Sequence, residues 1–175
     1  SGFAAGERAR RWLVMDGTSG SVQTNANTFA TWSQTHALGG PNDDADEDGA
    51  ANLLEYALGT DPFSPLQPNR FNLTHDSATG VVANITQPLT TRDDLIVRLE
   101  TLVDLTLAAD PAAWKPVNLA TTTTINGDDT ITRHYSGLER LLVFKGHDTG
   151  FTRLHVGLDA DRDGVPEASI ATPAH

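Results

Sequence analysis

Between Asn42 and Pro62 the chain reads N-D-D-A-D-E-D-G-A-A-N-L-L-E-Y-A-L-G-T-D-P, and no other stretch restricts its folding as strongly. Seven carboxylates fall between Asp43 and Asp61 with no Lys or Arg among them. Packed that closely they repel one another unless a cation neutralises them, so the segment either stays solvated or wraps a metal. The spacing favours the metal. Asp44, Asp46, Asp48, Gly49, Asn52 and Glu55 stand at positions 1, 3, 5, 6, 9 and 12 of the calcium-loop pattern D-x-[DN]-x-[DN]-G-x5-E. Ca²⁺ is a hard cation that takes about six to eight oxygens, and alternating short Asp side chains supply one hemisphere of them. Gly49 permits the sharp turn, Ala50 needs to offer only its carbonyl, and Glu55 would close the shell with both carboxylate oxygens. Asp61 either reaches a metal or organises the turn before Pro62.

The flanks read as helices. Thr28 is an N-cap candidate ahead of Phe29 and Trp32, with His36 or Ala37 a turn later on the same face. Gly39-Gly40-Pro41 stops that run, and Asn52 to Leu58 reads as a second short helix ended by Gly59. Residues 28–65 thus form helix, calcium loop, helix, with Phe29, Trp32, Leu53, Leu54, Tyr56 and Leu58 as a small shared core. Residues 1–27 read as an N-terminal extension or linker, with at most one strand over 11–15 before the Asp16-Gly17 turn. Starting at Ser1-Gly2-Phe3, the chain is expected to be a piece whose export signal lay upstream.

Past Pro62 the character turns to β. Pro62, Pro65 and Pro68 make an extended connector. Short runs divided by turn residues follow, with strands expected near 70–76, 80–87, 94–102, 115–124, 129–136, 140–146 and 151–158. Leu95, Val97 and Leu99 alternate with Ile96, Arg98 and Glu100, while Leu154, Val156 and Leu158 alternate with Arg153 and His155. Asn126-Gly127 marks a hairpin. The expected fold is mainly β: an antiparallel β-sandwich, jelly-roll or Ig-like, over residues 66–175 behind the helical segment. It ends on a second acidic hexad. Asp159, Asp161, Asp163 and Gly164 repeat positions 1, 3, 5 and 6, with Val165 at position 7 and Glu167 at position 9. Position 12 is Ile170 and Arg162 lies inside the loop, so any site here is the weaker one; the alternative is a polar tail after the last strand.

Composition bounds the function. A formal charge of −11 opposes nucleic acid and anionic membrane as partners, and no apolar run reaches membrane-spanning length. The absence of cysteine excludes disulfides, thiolate zinc sites and cysteine nucleophiles. The histidines are dispersed without an H-E-x-x-H pair, and no G-x-S-x-G elbow, P-loop or dinucleotide fingerprint occurs. A carboxylate pair for glycoside hydrolysis leaves no local signature, so an enzyme of that kind stays open as a second alternative. The first alternative is carbohydrate binding by exposed rings, for which Trp12, Trp114 and Tyr135 are the candidates, with Phe144 and Phe151 behind them. Core packing competes for all of them, because aromatics are only 6% of the chain.

On the residues D-D-A-D-E-D-G-A-A-N-L-L-E-Y-A-L-G-T-D-P the chain resembles the bacterial thrombospondin type 3 repeat, a relative of EF-hand and dockerin loops. With the aromatic helix before it and V-R-L-E-T-L-V-D-L and Trp114 after it, the frame resembles C-terminal regions of large exported proteins of environmental bacteria such as Verrucomicrobia. The β-domain departs from that frame by the insertion Leu105 to Pro111. The resemblance implies a non-catalytic β-sandwich beside a larger exported protein, with Asp44, Asp46, Asp48, Asn52 and Glu55 as metal ligands. Loops of the weaker calcium class fill only at millimolar calcium, which points to a secreted or cell-surface setting. The expected function is therefore a calcium-binding accessory module, with one calcium ion or two, whose partner is the parent or a neighbouring exported protein, or a polysaccharide.

Overall fold

The computed structural model describes residues 27–66, 68–78, 80–90, 92–139 and 150–174. The expected strands at 11–15 and 140–146, together with Trp12 and Phe144, lie outside them.

Two seven-residue helices come first, α1 (Phe29–Thr35) and α2 (Asn52–Leu58). Thr28 caps α1, its hydroxyl accepting from the Thr31 amide at 3.3 Å. The helix stops at His36, and Ala37 turns left-handed at φ 54° instead of extending the helical face. Helix α2 has no side-chain cap at Ala51. Its first amides are met by the preceding loop, Asn52 N donating to Asp43 O at 2.7 Å and Leu53 N to Pro41 O at 3.0 Å. Gly59 closes it in the left-handed region at φ 70°, its amide donating to Glu55 O at 2.7 Å. A helix this short has no stability alone, so packing must hold it. All seven of its residues are buried.

Among the described residues eight strands follow: β1 (Phe71–Asp76), β2 (Gly80–Pro88), β3 (Leu95–Leu102), β4 (Lys115–Pro116), β5 (Thr121–Ile125), β6 (Thr130–Ser136), β7 (Phe151–Leu158) and β8 (Ala168–Ala171). They make two four-stranded antiparallel sheets, ordered β1-β2-β6-β5 and β4-β3-β7-β8. The chain is mainly β, and its two sheets are consistent with a sandwich. Residues Ala83 and Ile85 of the first sheet and Leu99, Leu154 and Val156 of the second belong to one buried core with Phe29, Leu53, Leu54, Tyr56, Ala57 and Leu58. Helix α2 touches β2 of the first sheet and β7 and β8 of the second. The helical segment is thus not an outrigger: its second helix is part of the core that both sheets share.

The alternation read in β3 and β7 sets their pairing. Leu95 faces Leu158, Val97 faces Val156 and Leu99 faces Leu154 across the ladder, placing the apolar side of both strands together. Other expectations need correction. The run expected at 115–124 divides: β4 pairs with β3 in the second sheet and β5 with β6 in the first. Past Pro116, Val117 N still donates to Leu99 O at 2.8 Å, and the residues after Val117 carry the chain from one sheet to the other. Strand β8 stands where a polar tail or a position-12 residue was expected, because four residues carry too little alternation to announce it. The hairpin at Asn126-Gly127 forms, but its left-handed residue is Asp129 at φ 57°, so the turn runs to Asn126 N donating to Thr130 O at 2.8 Å.

Candidate metal centre

The first acidic loop wraps into a tight concavity through its own amides. Asp48 N donates to Asp46 Oδ1 at 3.2 Å, Gly49 N to Asp44 Oδ2 at 2.9 Å and Ala50 N to Asp48 Oδ1 at 2.7 Å. Each Asp thereby spends one oxygen on the backbone, and the other oxygens of Asp44 and Asp46 are buried. Glu47 at φ 61° and Gly49 at φ 94° supply the two left-handed residues that the winding requires. The result brings ligand oxygens of Asp44, Asp46 and Asp48 within 4.8 Å of one another.

Helix α2 closes the other side. Its first residue, Asn52, is fully buried; its Nδ2 donates to Gly40 O at 3.0 Å while its Oδ1 has no partner. One turn later comes Glu55, also 0% exposed, and among the described residues neither of its carboxylate oxygens has a hydrogen-bond donor. Asp44 Oδ1 and Asp46 Oδ2 are likewise buried and unpartnered. Burial is the first cause that pushes the Glu55 carboxyl up to about 7, and the charges of Asp46, Asp48, Asp44 and Asp61 push it further. Asp46 rises for the same reasons, burial first, against the lowering effect of the Asp48 amide. The five orphaned oxygens, from four residues around one acidic turn, are donors of the kind that would suit a hard divalent cation. The residues present fit calcium.

Asp61 takes the turn role, its Oδ1 accepting from the Phe63 amide at 3.1 Å, while its charge still reaches Glu55. The second loop, between β7 and β8, brings ligand oxygens of Asp159, Asp161 and Glu167 within 4.8 Å of one another. Asp163, which accepts from the Val165 amide at 2.7 Å as Asp48 does from the Ala50 amide, is not one of that trio.

A residue that sequence reasoning passed over ties this centre to the sheets. Asp94, 2% exposed, accepts from Phe29 N at 2.6 Å and from Tyr56 Oη at 2.9 Å. Its carbonyl accepts from Asp159 N at 2.9 Å. Arg92 stacks 4.1 Å from the centroid of the Tyr56 ring. Burial, and then the charge of Asp94, push the Tyr56 phenol up, so it stays a neutral donor. Nothing local marks Asp94, since the groups it joins lie as many as 65 residues away.

The sugar-stacking candidates fare unequally. Trp114 is 5% exposed, its Nε1 donating to Ala108 O at 3.1 Å. The Arg153 guanidinium lies 4.0 Å from its ring centroid and is itself held by Glu100 at 2.9 Å, so Trp114 packs the fold and offers no face for stacking. Tyr135 is half-buried and lines a cleft of about 500 Å³ with Arg92, Arg133, Gln87 and Ile131. No Asp or Glu is among the described residues lining that cleft, which leaves it without an acid pair for hydrolysis.

The chain matches no family model, no curated protein and no solved structure. The likeness to a thrombospondin type 3 repeat accordingly rests on the loop residues themselves.

Proposed function

We propose that this chain is a secreted or cell-surface, calcium-binding, non-catalytic module of an exported protein: a helix–calcium loop–helix built into a β-sandwich of jelly-roll or Ig-like kind. Glu55 carries the reading. A fully buried carboxylate with both oxygens unpartnered, set against three aspartates, is expensive unless a cation joins it. Asp44, Asp46, Asp48, the Ala50 carbonyl, Asn52 Oδ1 and Glu55 would hold the ion. Calcium binding only the folded loop stabilises it by mass action, by about 4 kcal/mol at a thousandfold excess over Kd. Because Glu55 rides on a buried helix packed against strands of both sheets, the ion would fix the core as well as the loop. That suits a spacer or attachment unit that becomes rigid only where calcium is plentiful.

A thermal melt in calcium against chelator tests this. The expected rise is on the order of 10 °C, abolished by Asp46→Ala with Glu55→Ala. An unchanged melt overturns the proposal. The second reading, polysaccharide binding, is favoured only by the cleft where Tyr135 meets Arg92 and Arg133. Retention on an insoluble polysaccharide that disappears in Tyr135→Ala would establish it.

A further inference from the structure

The loop joining β7 to β8 reproduces the hydrogen bonding of the first loop bond for bond. Asp163 N donates to Asp161 Oδ1 at 3.2 Å, Gly164 N to Asp159 Oδ2 at 3.0 Å and Val165 N to Asp163 Oδ1 at 2.7 Å, the same three position pairs as in the first loop. Position 4 is left-handed in both, Arg162 at φ 64° matching Glu47, and so is position 6, Gly164 at φ 87° matching Gly49. Loop geometry alone does not make a site. The deciding atom is Asp159 Oδ1, on a side chain only 8% exposed, which is buried and has no partner among the described residues. It corresponds to Asp44 Oδ1, orphaned in the first loop.

We propose that the Asp159–Glu167 loop is a second calcium site, in which Glu167 supplies from position 9 the closing carboxylate that Glu55 supplies from position 12 in the first. The donors are all oxygens: Asp159, Asp161 and Glu167 at the centre, Asp163 at the rim, the Val165 carbonyl and water. An irregular, carboxylate-rich loop of this kind suits Ca²⁺ better than Mg²⁺, which demands near-octahedral order and keeps its own water. Two features make it the weaker site. Arg162 puts a positive charge where the first loop has Glu47, and Glu167 already accepts from Ala160 N at 2.9 Å. Where the first ion would set a helix in the core, this one would set an edge strand. Glu167 N donates to Leu158 O at 2.8 Å, starting the β7–β8 ladder, and Pro166 packs so closely on Gly157 that a Cβ there would meet its ring at 2.8 Å. The loop is also tied to the helices through the bond from Asp159 N to Asp94 O.

Calorimetric titration of the full chain with CaCl₂ tests the assignment, with amide exchange as a second readout. Two binding events are expected, the weaker by at least roughly tenfold in Kd. Asp161→Asn, at an exposed position, should abolish the weaker event, leave the tighter one, and remove the calcium-dependent slowing of exchange at Ser169–Ala171. Its melt in chelator should match the parent, showing that the fold is intact. A single event in the parent chain, lost in Asp46→Ala and unaffected by Asp161→Asn, would overturn this site while leaving the first loop's role standing. A single event lost only in Asp161→Asn would do the reverse. A weaker event that survives Asp161→Asn and Glu167→Gln would also overturn it.

Discussion

The two acidic loops share a backbone and differ in what closes them. In the first, the closing acid arrives on α2, a buried helix, and its carboxylate is carried into the core with neither oxygen bonded. In the second, Glu167 follows the loop directly, stays exposed, and is held below its ordinary range, chiefly by the Ala160 amide. The same turn therefore presents a strained acid in one place and a satisfied one in the other. An ion bound by the first loop would relieve a cost already present in the protein. Among the described residues the second loop leaves only Asp159 Oδ1 buried and unpartnered, so an ion there would relieve less. Coupling to the fold depends less on the loop than on the element delivering the last carboxylate.

The largest expected effect reverses sign with the metal. Glu55→Gln removes a buried charge, so in chelator at pH 8 it should stabilise the protein, by up to about 3 kcal/mol from the rise of its carboxyl from 4.5 to about 7. In calcium the same variant should be less stable than the parent. Glu167→Gln should show no such reversal, and if both variants behave alike the contrast between the loops is wrong.

The pH dependence follows from the same residue. With the folded carboxyl raised above its unfolded value, the folded state keeps a proton that the unfolded state has released. Stability in chelator is thus greatest below pH 4.5 on this group's account and falls as pH climbs to about 7. Denaturant melts across that window should show the decline in chelator and its disappearance in millimolar calcium.

Smaller effects probe how α2 is seated. Gly59→Ala meets both a left-handed φ and Pro88 Cγ 2.3 Å from the new Cβ, and should cost about 2 kcal/mol in calcium and in chelator alike. Tyr56→Phe strips Asp94 of one donor and should cost about 1 kcal/mol in urea melts. The finest adjustment exchanges the residues at position 4. Arg162→Glu should tighten calcium at the second loop by roughly tenfold, since reversing one nearby charge in partly solvated surroundings is worth on the order of 1 kcal/mol. Its surface pair with Asp93, 3.7 Å apart, contributes little to lose.

Much of the secondary structure was legible because its causes are local. Helix α2 runs from Asn52 to Leu58 as its flanking residues predict, and the period-two runs in β3 and β7 set their apolar residues opposite one another across the ladder. For Trp114 the sequence left sugar stacking and core packing both open, because its cover, Arg153, comes from another strand. The 115–124 run looked continuous because the exchange of sheets between Val117 and Thr121 depends on which strands already have partners.

By itself the sequence determined the two acidic registers, the glycines that let them wind, and the donor types that make them fit a hard cation. Those are matters of spacing along a few residues, which backbone sterics turn directly into shape. Only the tertiary structure decided that α2 would pack against strands of both sheets, that Glu55 would be buried without a partner among the described residues, and that Asp94 would hold both helices beside the second loop. Burial and orphaned charge are properties of what surrounds a group, and those surroundings exist only once distant segments have packed.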